Sequence, residues 1–434
     1  MTLPPLARVA VALAGLCVVA SSAAGDQRPW WRAGDGGIIA IGNAPREQVE
    51  AVADTLARAR RAFVAVPSPP GERRAGPLVV FVFGDQATAH AFRPLYEGRV
   101  VEVGGTYLPG DEQHFITVAP AEGDSGPAWA AVFHEFSHFL ARQATGELPA
   151  WFDEGLAEFH ATLRLPQDDG EAVVGLPPAS WLRVLAREPR LPLTDLLAVT
   201  RDSAFYNEGP QRDVFYAQAW LTAHYLLAGN RERTPQLFEY LRSTAEGVPV
   251  TEAFDRAFAA PPAVLEKELD DYLALGRFLT TRVRVTGPSD RRGGSAPLAP
   301  ADAEAWLGEL LLRLGRDHEA RNHLESALGH DGSHARALSA LGALAVREQQ
   351  PGEARSLLSR AASLSPSDAV VQLRWGRFLA AQASLASDED DRASDLDALA
   401  LAARRVLDAP SAGWQVHAMA RGWLRAAAAA RSRR

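Results

Sequence analysis

Cysteine is almost absent from this chain of 434 residues, which contains a single one, Cys17. That cysteine lies in an N-terminal segment with the pattern of a secretory signal, which we expect to be cleaved. The mature chain would then have no disulfide bond, even in an oxidising compartment. Any metal site in it would have to use histidine and carboxylate ligands, because no thiolate would remain.

The N-terminal segment also lacks the length of a comfortable membrane span. Arg8 precedes an apolar run over residues 9–20, and the small residues Ser22, Ala23 and Ala24 follow it. This pattern is typical of a signal peptide over residues 1–24. We therefore expect export to the periplasm or the extracellular space, with no stable membrane span after cleavage. Retention of the segment as an anchor is the alternative.

Positive charge is the minor sign in this chain. The 45 lysine and arginine residues face 53 aspartate and glutamate residues, so the net charge is −8 and the pI is near 5.8. This balance argues against nucleic acid or an anionic membrane as a partner. Lysine itself occurs once, at Lys267, and with the alanine-rich composition this suggests a bacterium with a GC-rich genome.

What the chain does contain is a segment rich in histidine and carboxylate residues. His134 and His138 are four positions apart in an apolar stretch of helical period, so they share one face of a predicted helix. Two imidazole nitrogens at this spacing can bind one Zn²⁺. Glu135, one step round the helix, can reach a water on the metal without binding the metal, which suits a general base. The alternative is a buried amphipathic helix whose histidines only satisfy hydrogen bonds.

A catalytic zinc ion keeps three protein ligands and an open position, so a third ligand is required. After a break at Gly146 and Pro149, a second predicted helix carries Glu154 and Glu158 on one face. We expect Glu154 to be the third ligand of one zinc ion per chain. Glu158 is then placed to accept the outer N–H of a zinc-bound histidine. Gly155 allows this helix to approach its neighbour closely.

The His-Glu-x-x-His motif, followed by the segment Trp151–Phe159 (WFDEGLAEF), resembles the gluzincin metallopeptidases of the MA clan. The likeness is greatest to the aminopeptidase-like branch with its Trp-x-x-Glu-Gly-x-Ala-Glu motif, although the gap between the two motifs is shorter here. The resemblance implies an α+β zincin-like catalytic domain that hydrolyses peptide bonds, with an N-terminal lobe over residues 25–125 and a helical zinc-binding lobe over residues 126–285. It implies that the zinc ligands are His134, His138 and Glu154 and that the general base is Glu135. It also implies that Glu158 contacts one of the ligands without binding the metal itself.

Two further roles come from the same resemblance. Tyr216 lies in a segment that matches the Tyr-Glu-Lys-Gly-Ala segment of aminopeptidases, whose tyrosine donates a hydrogen bond to the tetrahedral oxyanion. A core aromatic is the alternative for Tyr216, and Tyr206 is the reserve donor. In this family an edge strand beside the cleft pairs with the substrate backbone. The candidate strand here consists of Gly104, Gly105, Thr106 and Tyr107, and an ordinary hairpin turn is the alternative.

One motif of the aminopeptidase branch is missing. Those enzymes carry a Gly-x-Met-Glu-Asn motif whose glutamate binds the free amine of the substrate, and the corresponding residues 104–113 have no such motif. We therefore favour an endopeptidase over an aminopeptidase, acting on a peptide or protein. The competing hypothesis is a catalytically degenerate, peptidase-like scaffold that only binds protein partners. His160 and His224 are expected to be structural or surface residues and not ligands.

The region before the first motif mixes strand and helix patterns. An apolar run over residues 77–83 predicts a buried strand, and residues 43–63 have the period of an amphipathic helix. Residues 100–107 and 114–118 predict two strands joined by a turn at Pro109, Gly110 and Asp111.

The region after residue 285 has a different organisation. Residues 286–300 have linker composition, and residues 301–434 contain an internal repeat with an offset of 34 residues. The equivalent pairs include Leu307 and Leu341, and Gly308 and Gly342. This period resembles tetratricopeptide repeats. It implies an all-α solenoid whose concave surface recruits substrate or a protein partner. Because the linker separates two units that each have their own apolar periodicity, we expect the catalytic lobe to fold alone. A third unit is predicted from residue 369, its second helix delayed by an acidic insert over residues 387–391.

Overall fold

The computed structural model has an α+β N-terminal part and a largely helical C-terminal region, as expected. It describes residues 28–35, 37–66, 76–96, 99–100, 105–119, 129–144, 148–167, 170–207, 209–285, 294–409 and 412–432. The predicted signal segment 1–24, Gly104, Gly146 and the first part of the predicted linker, residues 286–293, lie outside these ranges.

A six-stranded sheet forms the centre of the N-terminal part. The strands along the chain are β1 (Trp31–Asp35), β2 (Ile38–Gly42), β3 (Leu78–Val82), β4 (Leu95–Tyr96), β5 (Arg99–Val100), β6 (Gly105–Leu108), β7 (His114–Val118), β8 (Gly170–Val174), β9 (Thr281–Val285) and β10 (Ala296–Pro297). The order in the main sheet is β10-β1-β2-β3-β7-β6, and β4 with β5 and β8 with β9 form two separate pairs. The strands β2, β3 and β7 are parallel, whereas β6 runs antiparallel to β7 as the last strand on its side.

Strand β3 is buried on both of its faces, as its continuous apolar run predicted. Leu78, Val80 and Val82 belong to the core shared with the helices of the N-terminal part. Val79 and Phe81, which alternate with them, belong to a second core on the opposite face. Period-two alternation of side chains in a strand explains this division.

Eleven α-helices of the described chain lie between the first strand and β9. They are α1 (Arg46–Val64), α2 (Gln86–Ala91), α3 (Trp129–Ala144), α4 (Ala150–Ala161), α5 (Ala179–Arg187), α6 (Leu193–Ala198), α7 (Ala204–Asn207), α8 (Gly209–His224), α9 (Thr234–Ala245), α10 (Val250–Phe258) and α11 (Pro262–Leu275). A π-helical turn, Tyr225–Gly229, continues α8. Helices α3 and α4 carry the two predicted motifs and pack against each other.

Gly155 is the point at which α4 meets α8. A Cβ atom at this position would lie 2.3 Å from the carbonyl oxygen of Ala219, so a larger residue would push the helices apart. The predicted close approach is therefore present, and the neighbour is the helix that carries Tyr216.

The described part of the C-terminal region consists of three successive helix pairs followed by one further helix. Its helices are α12 (Pro300–Arg313), α13 (Asp317–His330), α14 (Ala335–Arg347), α15 (Pro351–Leu364), α16 (Ala369–Leu385), α17 (Glu389–Asp408) and α18 (Trp414–Arg431). Two glycines that are 34 positions apart, Gly308 and Gly342, each make the same kind of contact with a leucine of the following helix. A Cβ atom on Gly308 would lie 2.5 Å from Leu324 Cγ, and one on Gly342 would lie 2.6 Å from Leu358 Cγ. The repeat thus preserves a glycine opposite a leucine in the first two pairs, whereas Gly376 in the third pair faces Trp423.

The third pair departs from the prediction in one respect. The segment 387–391 is not an insert before its second helix but contains the start of that helix, because α17 begins at Glu389. The Asp388 side chain accepts hydrogen bonds from the backbone N–H groups of Asp390 and Asp391 and so caps the helix. Acidic residues in a first turn also interact favourably with the helix dipole, which explains their place here.

Residues 286–300 were predicted to be a linker between the two parts. For the second half of this range the prediction is wrong. Ala296 and Pro297 form β10, which pairs with β1 at the edge of the main sheet. Beyond it, α12, α13 and α14 cover the second face of the sheet, where Phe81 and Phe115 share one core with Leu310 and Leu341. A sheet face this apolar must be buried, so the N-terminal part is not expected to fold without these helices.

Within the described ranges, none of the helices combines the length and the apolar character needed to cross a bilayer.

Candidate metal centre

Helices α3 and α4 bring His134, His138 and Glu154 together, with one ligand atom of each within 4.8 Å of the others. The two Nε2 atoms of His134 and His138 are 3.2 Å apart. Oε2 of Glu154 lies 3.2 Å from Nε2 of His134 and 3.6 Å from Nε2 of His138. A tetrahedral zinc ion with bonds of about 2.0–2.1 Å holds its ligand atoms about 3.4 Å apart. The three atoms therefore have the spacing of three ligands of one ion.

Glu154 is deeply buried, yet one of its oxygens lacks a hydrogen bond. Oε1 accepts a hydrogen bond of 2.5 Å from the Tyr206 hydroxyl. Oε2 has no hydrogen-bond partner of acceptable geometry among the described residues, although both imidazoles are near. An unsatisfied buried carboxylate oxygen is costly, and a cation would satisfy it. Two imidazole nitrogens and a carboxylate oxygen form a donor set that suits Zn²⁺.

Each of the two imidazole rings is oriented by a carboxylate on its other nitrogen. Nδ1 of His134 lies 3.2 Å from Oε1 of Glu158, and Nδ1 of His138 lies 3.0 Å from Oδ1 of Asp153. Partners of this kind orient metal-binding histidines. Glu158 thus occupies the position predicted for it, whereas the matching role of Asp153 was missed. The signal was available, because two ligand histidines need two such acceptors.

The two orienting carboxylates are held in turn by residues from other segments. Trp181 Nε1 on α5 donates to Oε2 of Glu158 at 2.6 Å. Arg201 pairs with Oδ2 of Asp153 at 2.5 Å. These partners lie 23 and 48 residues along the chain from the carboxylates they contact, so no local spacing could have identified them.

The electrostatics of the cluster favour positive charge at its centre. Burial alone would lower the pKa of His134, but Glu154 and Glu158 outweigh it and raise the pKa to about 10. Burial likewise opposes protonation of His138, and Asp153 and Glu154 still raise its pKa well above the usual value. Burial would raise the pKa of Glu154, but the two histidines hold it well below its usual range. The cluster therefore attracts protons or, in their place, a metal cation.

Glu135 faces the same centre from α3. One of its oxygens, Oε2, accepts a hydrogen bond of 2.8 Å from the backbone N–H of Tyr107 on β6. Burial raises the pKa of the Glu135 carboxyl, against the opposing charges of His134 and His138. The structure thus brings the predicted base next to the predicted ligands and ties it to the edge strand.

The predicted edge strand consists of β6 in the described part of the chain. Gly105, Thr106 and Tyr107 pair with β7 on one side only, so β6 borders the cleft as expected. Gly104 lies outside the described residues. The Tyr107 N–H, which faces away from β7, is already bonded to Glu135. Pairing of a substrate with this strand stays a prediction.

The two tyrosines considered for the oxyanion have different surroundings. Tyr206 donates to Glu154, so its hydroxyl is engaged by a candidate ligand. The ring of Tyr216 stacks near that of His134, with centroids 6.4 Å apart, and the guanidinium of Arg212 lies over the Tyr216 ring, 5.1 Å from its centroid. Burial raises the pKa of both phenols above the usual value, so both remain hydrogen-bond donors at neutral pH.

An open cavity of about 460 Å³ lies over the cluster. Besides the five carboxylate and histidine residues of the cluster and Glu135, the residues that line it are Tyr107, Pro109, Arg142, Trp181, Arg201, Tyr206, Arg212, Asp213 and Tyr216. The cluster is therefore accessible to a ligand from solvent.

His160 and His224 lie outside the cluster, as predicted. His160 is buried beside the Ser137 hydroxyl, with Nδ1 and Oγ 2.8 Å apart. His224 is buried between the Gly175 carbonyl oxygen, 2.9 Å from Nε2, and the Tyr272 hydroxyl, 3.0 Å from Nδ1. Both are structural residues and neither is at the surface.

Comparison with known proteins locates a family over this same region. Residues 128–251 are similar to a family described as a protein of unknown function (DUF1570). The matched range includes α3, α4 and α8, which carry the cluster and Tyr216. No curated protein matches the chain.

Proposed function

We propose that this protein is an exported zinc-dependent peptidase of the gluzincin type, with a zincin-like catalytic part. The observation that carries the proposal is the convergence of His134, His138 and Glu154, with ligand atoms 3.2–3.6 Å apart. An unsatisfied buried oxygen of Glu154 lies at its centre, and the carboxylate of Glu135 lies beside it. One Zn²⁺ per chain would be held by the first three residues.

When bound, zinc supplies Lewis acidity, which acidifies water and polarises the scissile carbonyl. Glu135 takes a proton from the attacking water and passes it to the leaving amine. The Tyr107 backbone N–H holds one oxygen of Glu135, at 2.8 Å, and so fixes the carboxylate in the cleft. Asp153 and Glu158 keep the two imidazoles oriented.

Tyr216, which lines the same cavity, supports the proposal. Its ring stacks near that of His134, and its hydroxyl remains protonated because burial raises its pKa. We assign it the hydrogen bond to the oxyanion that develops on the carbonyl oxygen. Tyr206 does not take this role, since its hydroxyl is bonded to Glu154.

The substrate is an extended peptide or an unfolded protein, cleaved internally. The cavity is open, and β6 borders it as an edge strand to which a peptide backbone can add. The C-terminal helices form part of the same proposal as tetratricopeptide repeats, supported by the recurring contacts of Gly308 with Leu324 and of Gly342 with Leu358.

Metal analysis of the purified protein tests this proposal. Wild type prepared without chelator should contain one zinc per chain, His138→Ala should contain none, and His318→Ala, which removes an exposed histidine on α13, should match wild type. Wild type should also cleave peptides that are blocked at both ends, which an aminopeptidase does not cleave. A zinc-free wild type without activity on blocked or free peptides would favour the degenerate scaffold and overturn the proposal.

A further inference from the structure

An acidic turn connects the edge strand of the cleft to the C-terminal helices. The β6–β7 turn (Pro109–Gln113) carries three consecutive polar side chains, namely the carboxylates of Asp111 and Glu112 and the amide of Gln113. Oε2 of Glu112 accepts a hydrogen bond of 2.8 Å from Arg374, and Oε1 accepts one of 3.1 Å from Arg377. Asp111 also forms an ion pair with Arg377, at 3.1 Å. Oε1 of Gln113 accepts a hydrogen bond of 3.0 Å from Arg336. All three polar residues of the turn are thus bonded to arginines that follow more than 220 positions later.

The contact is buried at its centre. The Arg374 side chain is 7% exposed and donates to both oxygens of Glu309, at 2.8 and 2.6 Å, while it also holds Glu112. Bidentate pairs of this kind are strong and geometrically specific. The guanidinium of Arg336 lies 4.3 Å from the ring centroid of Trp306, which orients it.

The arginines and Glu309 share one face of the C-terminal region. Glu309 is on α12, Arg336 on α14, and Arg374 and Arg377 on α16, the first helices of three successive pairs. These three helices contact each other in sequence. We call this set of residues the first-helix face. Repeat proteins of this type present such a face to peptides, but here the chain's own β6–β7 turn occupies it.

The same turn leads directly into the cleft. β6 ends at Leu108, one position after Tyr107, whose N–H bonds to Glu135. β6 has a hydrogen-bonded neighbour on one side only, so the sheet alone does not define its position. Besides β7, the strand is held by α3, where Phe139 packs on the Tyr107 ring and Glu135 accepts from the Tyr107 N–H, and by the first-helix face at the turn.

We propose that the C-terminal helices position the substrate-binding strand, with Glu112 and Arg374 holding β6 at the distance from the metal centre that an extended peptide requires. This proposal rests on the proposed peptidase function. It assigns the first-helix face to an acidic segment of the same chain and not to a recruited substrate. Glu112 and Arg374 are positioning residues, because neither lies against the reacting atoms.

The test uses the full-length protein and the variant Glu112→Gln, which keeps the shape of the side chain but removes its charge. The matched control is Asp395→Asn, which weakens another arginine pair of the C-terminal helices, between Arg355 on α15 and Asp395 on α17, at 2.7 and 2.9 Å. The control pair does not contact the β6–β7 turn.

For a blocked peptide of about eight residues, Glu112→Gln should raise KM about tenfold, with zinc content unchanged and kcat lowered by less than about threefold. A displaced strand loses substrate binding first, and it affects Glu135 only through the hydrogen bond from the Tyr107 N–H. Asp395→Asn should leave KM at the wild-type value, even if it lowers the thermal unfolding midpoint by as much as Glu112→Gln does. Equal KM values in wild type and both variants would overturn the proposal.

Hydrogen exchange separates failure of this proposal from failure of the peptidase assignment. Amide exchange in a fragment covering residues 105–108 should be at least about threefold faster in Glu112→Gln than in wild type, and unchanged in Asp395→Asn. This readout requires no activity. If wild type proves inactive, the faster exchange would still support positioning of β6, whereas identical exchange in all three proteins would overturn it.

Discussion

Two clusters of buried charge can be compared in this molecule. In the candidate metal centre, the Glu154 side chain is 3% exposed and lies between two histidines. In the second cluster, the Glu309 side chain is 2% exposed and lies against Arg374. Both carboxylates have been removed from water, which is costly without compensation.

The clusters differ in how many hydrogen bonds the chain itself donates to the buried carboxylate. Both oxygens of Glu309 accept hydrogen bonds from Arg374. At Glu154 one oxygen has no such partner in the described residues, and two imidazole nitrogens converge on it. Burial is equal in the two clusters and so does not distinguish them. The hydrogen bonds do, because both oxygens of Glu309 accept one, whereas Oε2 of Glu154 accepts none in the described residues and is the atom that the proposed zinc ion would bind.

The largest expected effect is on the free energy of unfolding, and it comes from a change in the cluster of Glu309 and Arg374. Arg374→Met should lower the free energy of unfolding by about 3–5 kcal/mol, because it leaves buried Glu309 without the two hydrogen bonds from Arg374 and, among the described residues, with only Arg336 nearby, at 3.9 Å. Urea unfolding of both proteins measures this difference. The double variant Arg374→Met, Glu309→Leu should recover part of the loss, since it removes the unpaired charge. A loss below about 1 kcal/mol in the single variant would mean that the second cluster is not what we describe.

The next effect concerns the candidate metal centre and is kinetic. Glu135→Gln should retain one zinc per chain and lose activity by about 10²-fold or more, since Glu135 is proposed to move protons without binding the metal. Zinc content and peptide cleavage are measured on the same preparation. Loss of zinc in this variant would make Glu135 a ligand, and near wild-type activity would exclude it as the base.

The smallest effect, taken per pH unit, comes from His160, which is buried beside Ser137 without a carboxylate partner in the described chain. Burial lowers the pKa of His160 to about 3, below the value near 6.5 expected in the unfolded chain. Between these values the unfolded state binds more protons, so the free energy of unfolding falls as the pH falls from about 6.5 towards 3. The slope is about 1.4 kcal/mol per pH unit for one such group.

His160→Phe should reduce that slope by the contribution of one histidine. Phenylalanine preserves the stacking on Phe63, where the ring centroids are 4.0 Å apart. Urea unfolding at pH 6.5, 5.5 and 4.5 compares the variant with wild type. Parallel curves for the two proteins would show that His160 is protonated in the folded state at these pH values.

Local spacing in the sequence determined several features of this protein. The four-residue interval placed His134 and His138 on one face of α3, where their Nε2 atoms are 3.2 Å apart. The offset of 34 residues predicted equivalent positions for Gly308 and Gly342, which make the same contact with a leucine. Both follow from the geometry of a single helix or helix pair, so a sequence pattern is enough to predict them.

Only the tertiary structure decided the partners that come from distant segments. It placed Asp153 on His138 and Arg201 on Asp153, and it brought Glu112 to Arg374 across 262 positions of the chain. It also covered Phe81 with helices that the sequence analysis had separated from the sheet by a linker. The apolar run of β3 showed that both faces must be buried, but any apolar helix could have covered them. Hydrophobic burial is not directional, so the pattern requires a cover without specifying which part of the chain provides it.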